Sequence, residues 1–103
     1  MSITYNDKIF RNLFLGFIRL HILYHASKEP VFGLDMIKEL ARHGYELSPG
    51  TLYPILHQMG LNGFLFSEKN VVNGKYRKYY RITEEGSRAL SEGYEKVREL
   101  TGG

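Results

Sequence analysis

The chain reads as a mainly α fold of the α+β class, and three observations predict it. Apolar residues recur at helical spacing across residues 9–24, 37–41 and 52–59. The period then shortens: residues 64–72 and 75–82 are rich in β-branched and aromatic side chains and flank Asn73-Gly74, the strongest short hairpin signal. Thr83-Glu84-Glu85 follows, a capping residue and two acids of the kind that open a helix.

The first helix is expected from Asn6 or Asp7 to about Ala26. Phe10, Leu13, Phe14, Phe17, Leu20, His21 and Tyr24 fall on one stripe, and Leu15, Ile18 and Ile22 on another. A helix apolar on two sides needs two neighbours, one its own core and the other a second copy of the chain. Lys28-Glu29-Pro30 ends it, because proline restricts the residue before it and cannot extend the ladder. A second helix starts near Gly33, buries Ile37, Leu40 and Ala41, and stops at His43-Gly44, with the glycine as its cap.

The third helix begins at Ser48, its N-cap, and ends near Asn62-Gly63. Pro49 suits the first helical position, where a missing N–H costs nothing. Leu52, Ile55, Leu56 and Met59 form its inner face. Pro54 lies inside the helix and removes the bond to the Gly50 carbonyl. On the returning strand Tyr76, Lys78, Tyr80 and Ile82 share one face, and Lys75, Arg77, Tyr79 and Arg81 the other. The last helix carries a seam of Leu90, Tyr94 and Val97 with Leu100 close by. It has no evident core of its own left to cover, so its expected neighbour is the first helix across a dimer interface. Helix-turn-helix followed by a hairpin is the layout of a winged helix. Residues 1–103 are expected to form a single domain, with a winged-helix core over 7–82 and a C-terminal dimerisation helix over 83–103.

At 103 residues a lone subunit buries a limited share of its surface, so pairing with a second copy would stabilise it. The absence of cysteine excludes disulfides, thiolate metal sites and a thiol nucleophile. Arg11, Arg19 and His21 interrupt the most apolar stretch, residues 9–24, which argues against a membrane span. No signal-peptide pattern is visible at the amino terminus, so a cytoplasmic location is expected. Charge is unevenly distributed. Residues 42–81 hold six Lys/Arg against two Asp/Glu, whereas residues 82–103 hold three against five. A basic middle suits a polyanion, although a solvated charged face would carry the same charges.

That middle segment contains the candidate binding residues. Ser48, Gly50 and Thr51 form a small-residue first turn whose free N–H groups favour an anion such as phosphate. Thr51, Tyr53, Pro54, His57 and Gln58 are left on the outer faces. Tyr53 is a candidate for a phosphate contact or for packing on the second helix or the wing, and His57 and Gln58 for base edges. Lys75, Arg77 and Lys78 sit at or just beyond the hairpin tip, where a wing would follow a nucleic-acid backbone. An ordinary capped helix beside a solvated hairpin accounts for the same residues without nucleic acid.

Three motifs narrow the choice. Ser48-Pro49-Gly50-Thr51-Leu52-Tyr53-Pro54, then Arg77-Lys78-Tyr79-Tyr80, then Ile82-Thr83-Glu84-Glu85-Gly86 strongly resemble the PadR family of transcriptional regulators, in the family's order and over roughly residues 20–90. The resemblance implies a winged-helix repressor that dimerises through its C-terminal helix, binds double-stranded DNA at an operator palindrome, and is often released by a small molecule. Where many members read His-Gly-Tyr-Glu at the start of the second helix, this chain has Phe32-Gly33-Leu34-Asp35. The single C-terminal helix matches the compact branch. The chain has no tryptophan, so the stacking of planar drugs by some compact members is not implied here.

The apolar stripes, with Phe10, Phe14, Phe17, Leu90, Tyr94 and Val97, are expected to form a dimer interface or to line a pocket there for a small hydrophobic or aromatic effector. Dry packing is the commoner use of such stripes. His21 and His25, four apart, could share a metal ion, but the sequence offers no evident third or fourth ligand, and a structural role is expected. No metal or other cofactor is expected. No nucleophile–base–acid set is visible, so the chain is not expected to be an enzyme. Two alternatives keep the fold: a protein–protein module whose basic hairpin meets an acidic partner, and a ligand-binding protein without DNA function.

Overall fold

The computed structural model describes residues 8–102. Its elements are α1 (Lys8–Lys28), β1 (Val31–Phe32), α2 (Gly33–Arg42), α3 (Pro49–Leu61), β2 (Leu65–Val72), β3 (Lys75–Ile82) and α4 (Glu84–Thr101). This is the expected order with one addition. The expected start of the first helix, at Asn6 or Asp7, lies outside the described residues; its end falls two residues beyond Ala26.

The addition is β1, which the sequence reading lacks. Val31 pairs with Tyr80 and Phe32 with Tyr79, giving a three-stranded antiparallel sheet of order β1-β3-β2. Two residues are too few to display a period, and their strand conformation comes from the partner they pair with. Pro30 prepares it by keeping Glu29 out of the helical region. The β2–β3 hairpin turns at Asn73-Gly74, both with positive φ, 52° and 77°. Its ladder runs from Val72 opposite Lys75 to Leu65 opposite Ile82.

The core gathers Ile18 and Ile22 of α1, Met36 and Leu40 of α2, Leu52 and Leu56 of α3, and Leu65 of β2, all almost wholly buried. All four inner-face residues expected of α3 are buried. On α2 the buried edge is Gly33, Met36 and Leu40, whereas Ala41 is exposed and Ile37 only half-buried. Of the expected edge only Leu40 is buried; Met36 takes the place of Ile37, so the edge lies one residue out of phase with the expectation.

A second correction concerns α4. Its amino-terminal half does cover core of its own chain: Leu90 is 7% exposed and packs in the common cluster. The hairpin returns the chain to the end of α3, and Thr83 fastens it there. Its hydroxyl donates to the Gly63 carbonyl at 2.6 Å and accepts the Gly86 N–H at 2.9 Å, the expected cap. Laid down at that point, α4 runs along α1 of the same subunit.

Candidate nucleic-acid interface

Ser48 occupies the N-cap position of α3 and Pro49 the first helical position, but the Ser48 side chain makes no capping bond. The Ser48 Oγ instead lies 3.3 Å from the Thr51 Oγ1. The Thr51 and Leu52 N–H groups both donate to the Ser48 carbonyl at 3.0 Å. Proline has no N–H, so among the described residues only the Gly50 amide of this turn is left without a partner. The expectation of several bare amides therefore narrows to one, because the turn tightens on Ser48. That amide is flanked by two hydroxyls on an exposed surface, a donor set suited to a phosphate oxygen.

Beyond the first turn, consecutive residues diverge by about 100° around the helix. Tyr53 and His57 face the sheet, around a hollow of about 350 Å³ shared with Phe32, Gly33, Lys78 and Tyr80. The Tyr53 ring lies directly over Gly33: a Cβ there would stand 2.3 Å from Tyr53 Cε1. Packing on α2 therefore accounts for this exposed aromatic. Gln58 turns to a hollow between α3, α1 and α4 lined also by Arg19, Leu20 and Asn62. His57 and Gln58, paired in the sequence analysis, are both exposed but line different hollows, about 100° apart around one helix.

The three expected wing cations also separate. Lys78 lies on the face towards α3, its Nζ 5.5 Å from the centroid of the Tyr80 ring. Arg77 lies on the other face, its guanidinium 5.0 Å over the Phe32 ring, which packs in turn against Tyr79 at 5.6 Å. Lys75 is exposed beside the turn. The sequence reading missed Lys69, which stands directly opposite Lys78 in the ladder. Like charges so placed repel, and an anion between them would relieve the repulsion. Counting back from the Asn73-Gly74 turn would have found the pair. Arg81 is already engaged by Glu68 at 2.6 Å.

The remaining candidates lie on the outer side of α1 and α4. Phe10, Phe17, Tyr94 and Val97 are exposed, Phe14 is half-buried with its ring 6.3 Å from that of Tyr45, and Leu90 is taken by the core. Burial and the neighbouring Tyr24 push the Tyr94 phenol above its ordinary pKa. The histidines bring a third correction. His21 and His25 do have another potential ligand nearby, since His43 at the end of α2 stacks on His21 with ring centroids 4.5 Å apart. The α1–α2 fold makes this contact across more than twenty residues of chain, so sequence spacing cannot show it.

No helix among the described residues is long and apolar enough to cross a membrane. Comparison with known proteins agrees with the geometry. The chain is 49% identical over 83 residues to the transcriptional regulator Rv3488 of Mycobacterium tuberculosis (strain ATCC 25618 / H37Rv), covering 81% of this chain and 78% of that protein. Its fold superposes on a PadR-like transcription factor from Bacteroides fragilis with a TM-score of 0.81 and 29% identity, over 93% and 94% of the two chains. A PadR family transcriptional regulator from Eggerthella lenta DSM 2243 gives 0.78 and 34%, over 92% and 84%. Residues 22–92 match the transcriptional regulator PadR-like family. With its winged helix, basic wing and family match, the chain belongs to the PadR-like family of transcriptional regulators and is a DNA-binding regulator, not an enzyme.

Proposed function

We propose that the chain is a cytoplasmic homodimeric repressor that binds an operator palindrome and is released by a small hydrophobic or aromatic effector. The observation that carries this reading is the apolar surface left along α1 and α4. Phe10, Leu13 and Phe17 on one helix, and Tyr94, Val97 and Leu100 on the other, are exposed, Leu100 by 83%. So many exposed apolar side chains along two helices are uncommon on a subunit that works alone. Covering it with a second copy sets two α3 helices about a two-fold axis. They would enter successive major grooves about 34 Å apart.

Within each half-site, Ser48, Gly50 and Thr51 hold a phosphate, His57 and Gln58 meet base edges from α3, and Lys75, Arg77 and Lys78 attract the backbone. Tyr53 supports this face through its packing on Gly33 and can offer its hydroxyl to a phosphate. Effector binding between subunits, against Phe10, Phe14, Phe17 and Tyr94, would change the angle between the wings. Selection of bound duplexes from a random pool tests the reading. A palindrome with half-sites about 10 base pairs apart is the expected winner. A single unrepeated half-site would sink the dimeric part, and no enriched sequence would sink the operator.

A further inference from the structure

The side-chain cluster that DNA recognition leaves unused lies between α1 and the carboxyl end of α2. His21 and His25 stand one helical turn apart on α1, on the same face. His43 caps α2 opposite them, its N–H donating to the Leu40 carbonyl at 3.0 Å. Each of the three contributes a ring nitrogen, and all three nitrogens lie within 4.8 Å of one another. Glu39, one turn before His43, places a carboxylate oxygen 3.8 Å from His25 Nε2, while its other oxygen accepts from Arg42 at 3.0 Å. Two facing helix ends thus present two residue pairs at i, i+4 spacing, His21 with His25 and Glu39 with His43.

We propose that His21, His25 and His43 form a binding site for a borderline divalent transition-metal ion of the zinc type, with Glu39 supplying negative charge beside it. Three imidazoles are the ligand set such ions favour over magnesium or calcium. With metal–nitrogen bonds of about 2.0–2.1 Å, ligand nitrogens in a tetrahedral site stand about 3.4 Å apart. Binding would require the three side chains, two half-buried and one exposed, to rotate so that their nitrogens close from within 4.8 Å to that separation. Burial, then the charges of His43 and His25, hold the His21 imidazole below the ordinary histidine pKa. His43 also stands five residues before Ser48, so an ion tying it to α1 would fix the segment that leads into α3.

The inference goes beyond the DNA-binding reading and is tested without DNA. The full chain, stripped of metal, is titrated with Zn²⁺ in competition with a chromogenic chelator. One ion per chain is expected, undisplaced by excess Mg²⁺. His43→Ala, at an exposed cap, is expected to weaken binding roughly tenfold or more. His57→Ala removes the only other histidine of the sequence, on α3, and is expected to leave the affinity unchanged. Ring C–H resonances of the three clustered histidines should shift on zinc addition while those of His57 stay. Circular dichroism checks that each variant folds, and should His43→Ala fail that check, His25→Gln is read in the same titration. Absence of binding, full affinity in the cluster variant, or an equal loss in His57→Ala would overturn the site.

Discussion

Two glycines show how single residues fix this fold. An added Cβ at Gly86 would stand 2.2 Å from the Phe64 carbonyl oxygen and 2.8 Å from Ile82 Cγ1. The oxygen belongs to the backbone and accepts the Thr83 N–H at 3.2 Å, so it cannot move without loosening the start of α4. At Gly33 the obstructing atoms are those of the Tyr53 ring, which can swing towards solvent. Gly86→Ala is accordingly expected to destabilise the protein by about 2–3 kcal/mol, the upper part of the range for overpacking, and Gly33→Ala by about 1 kcal/mol. Chemical denaturation at one fixed protein concentration measures both. Equal losses would mean that the ring over Gly33 is held as rigidly as backbone. The sequence shows both glycines as motif positions, but it cannot show what opposes them, since Phe64 and Tyr53 meet them only after the hairpin and α2 have folded.

Among the elements, the wing divides its cations between two faces, and the division sets their expected effects. Lys78 faces α3 across from Lys69, while Arg77 rests on Phe32 and Tyr79. Lys78→Ala is expected to lower the slope of log affinity against log salt by about one unit, with stability unchanged within about 0.5 kcal/mol. Arg77→Ala is expected to lower the slope similarly and also to destabilise the sheet by about 1 kcal/mol, because it uncovers the half-buried Phe32 ring, whereas the Tyr80 ring beside Lys78 is already buried in the core. Binding titrations over a salt series, with thermal melts of the same variants, separate charge from packing. An unchanged slope for both would remove the wing from the DNA interface. Legibility follows the same division. The hairpin, its turn and the alternation of its faces are local, so the sequence displays them. The β1 strand, the phase of α2 and the seating of α4 on its own core are set by partners distant in the chain, and periodicity alone does not reach them. The candidate site shares this limit: its residue types are visible in order, whereas the different hollows that His57 and Gln58 line depend on how α3 meets the sheet and the other helices.

For the whole molecule, the question is what covers the outer side of α1 and α4. A specific interface needs about 800 Å² from each partner. The stripe holds at least six exposed apolar side chains spread along two helices, with Leu13, 51% exposed, between Phe10 and Phe17. Because Leu90 and the inner face of α1 already serve the subunit's own core, disrupting the outer stripe should leave the fold intact. Leu13→Glu is therefore expected to halve the mass seen by light scattering at unchanged helicity. Leu34→Glu, at a similarly exposed apolar residue on α2, 48% exposed, should leave the mass unchanged. The functional consequence follows from linkage. In the proposed dimer, two α3 helices held rigidly together would bind a palindrome as a single event, whereas separated subunits would bind half-sites independently. Affinity for the full operator should then fall by about 100-fold, while affinity for an isolated half-site should hardly change. A Leu13→Glu protein that stayed dimeric would assign the contact to another surface. A monomeric one that kept full operator affinity would show that pairing of the subunits does not set DNA recognition.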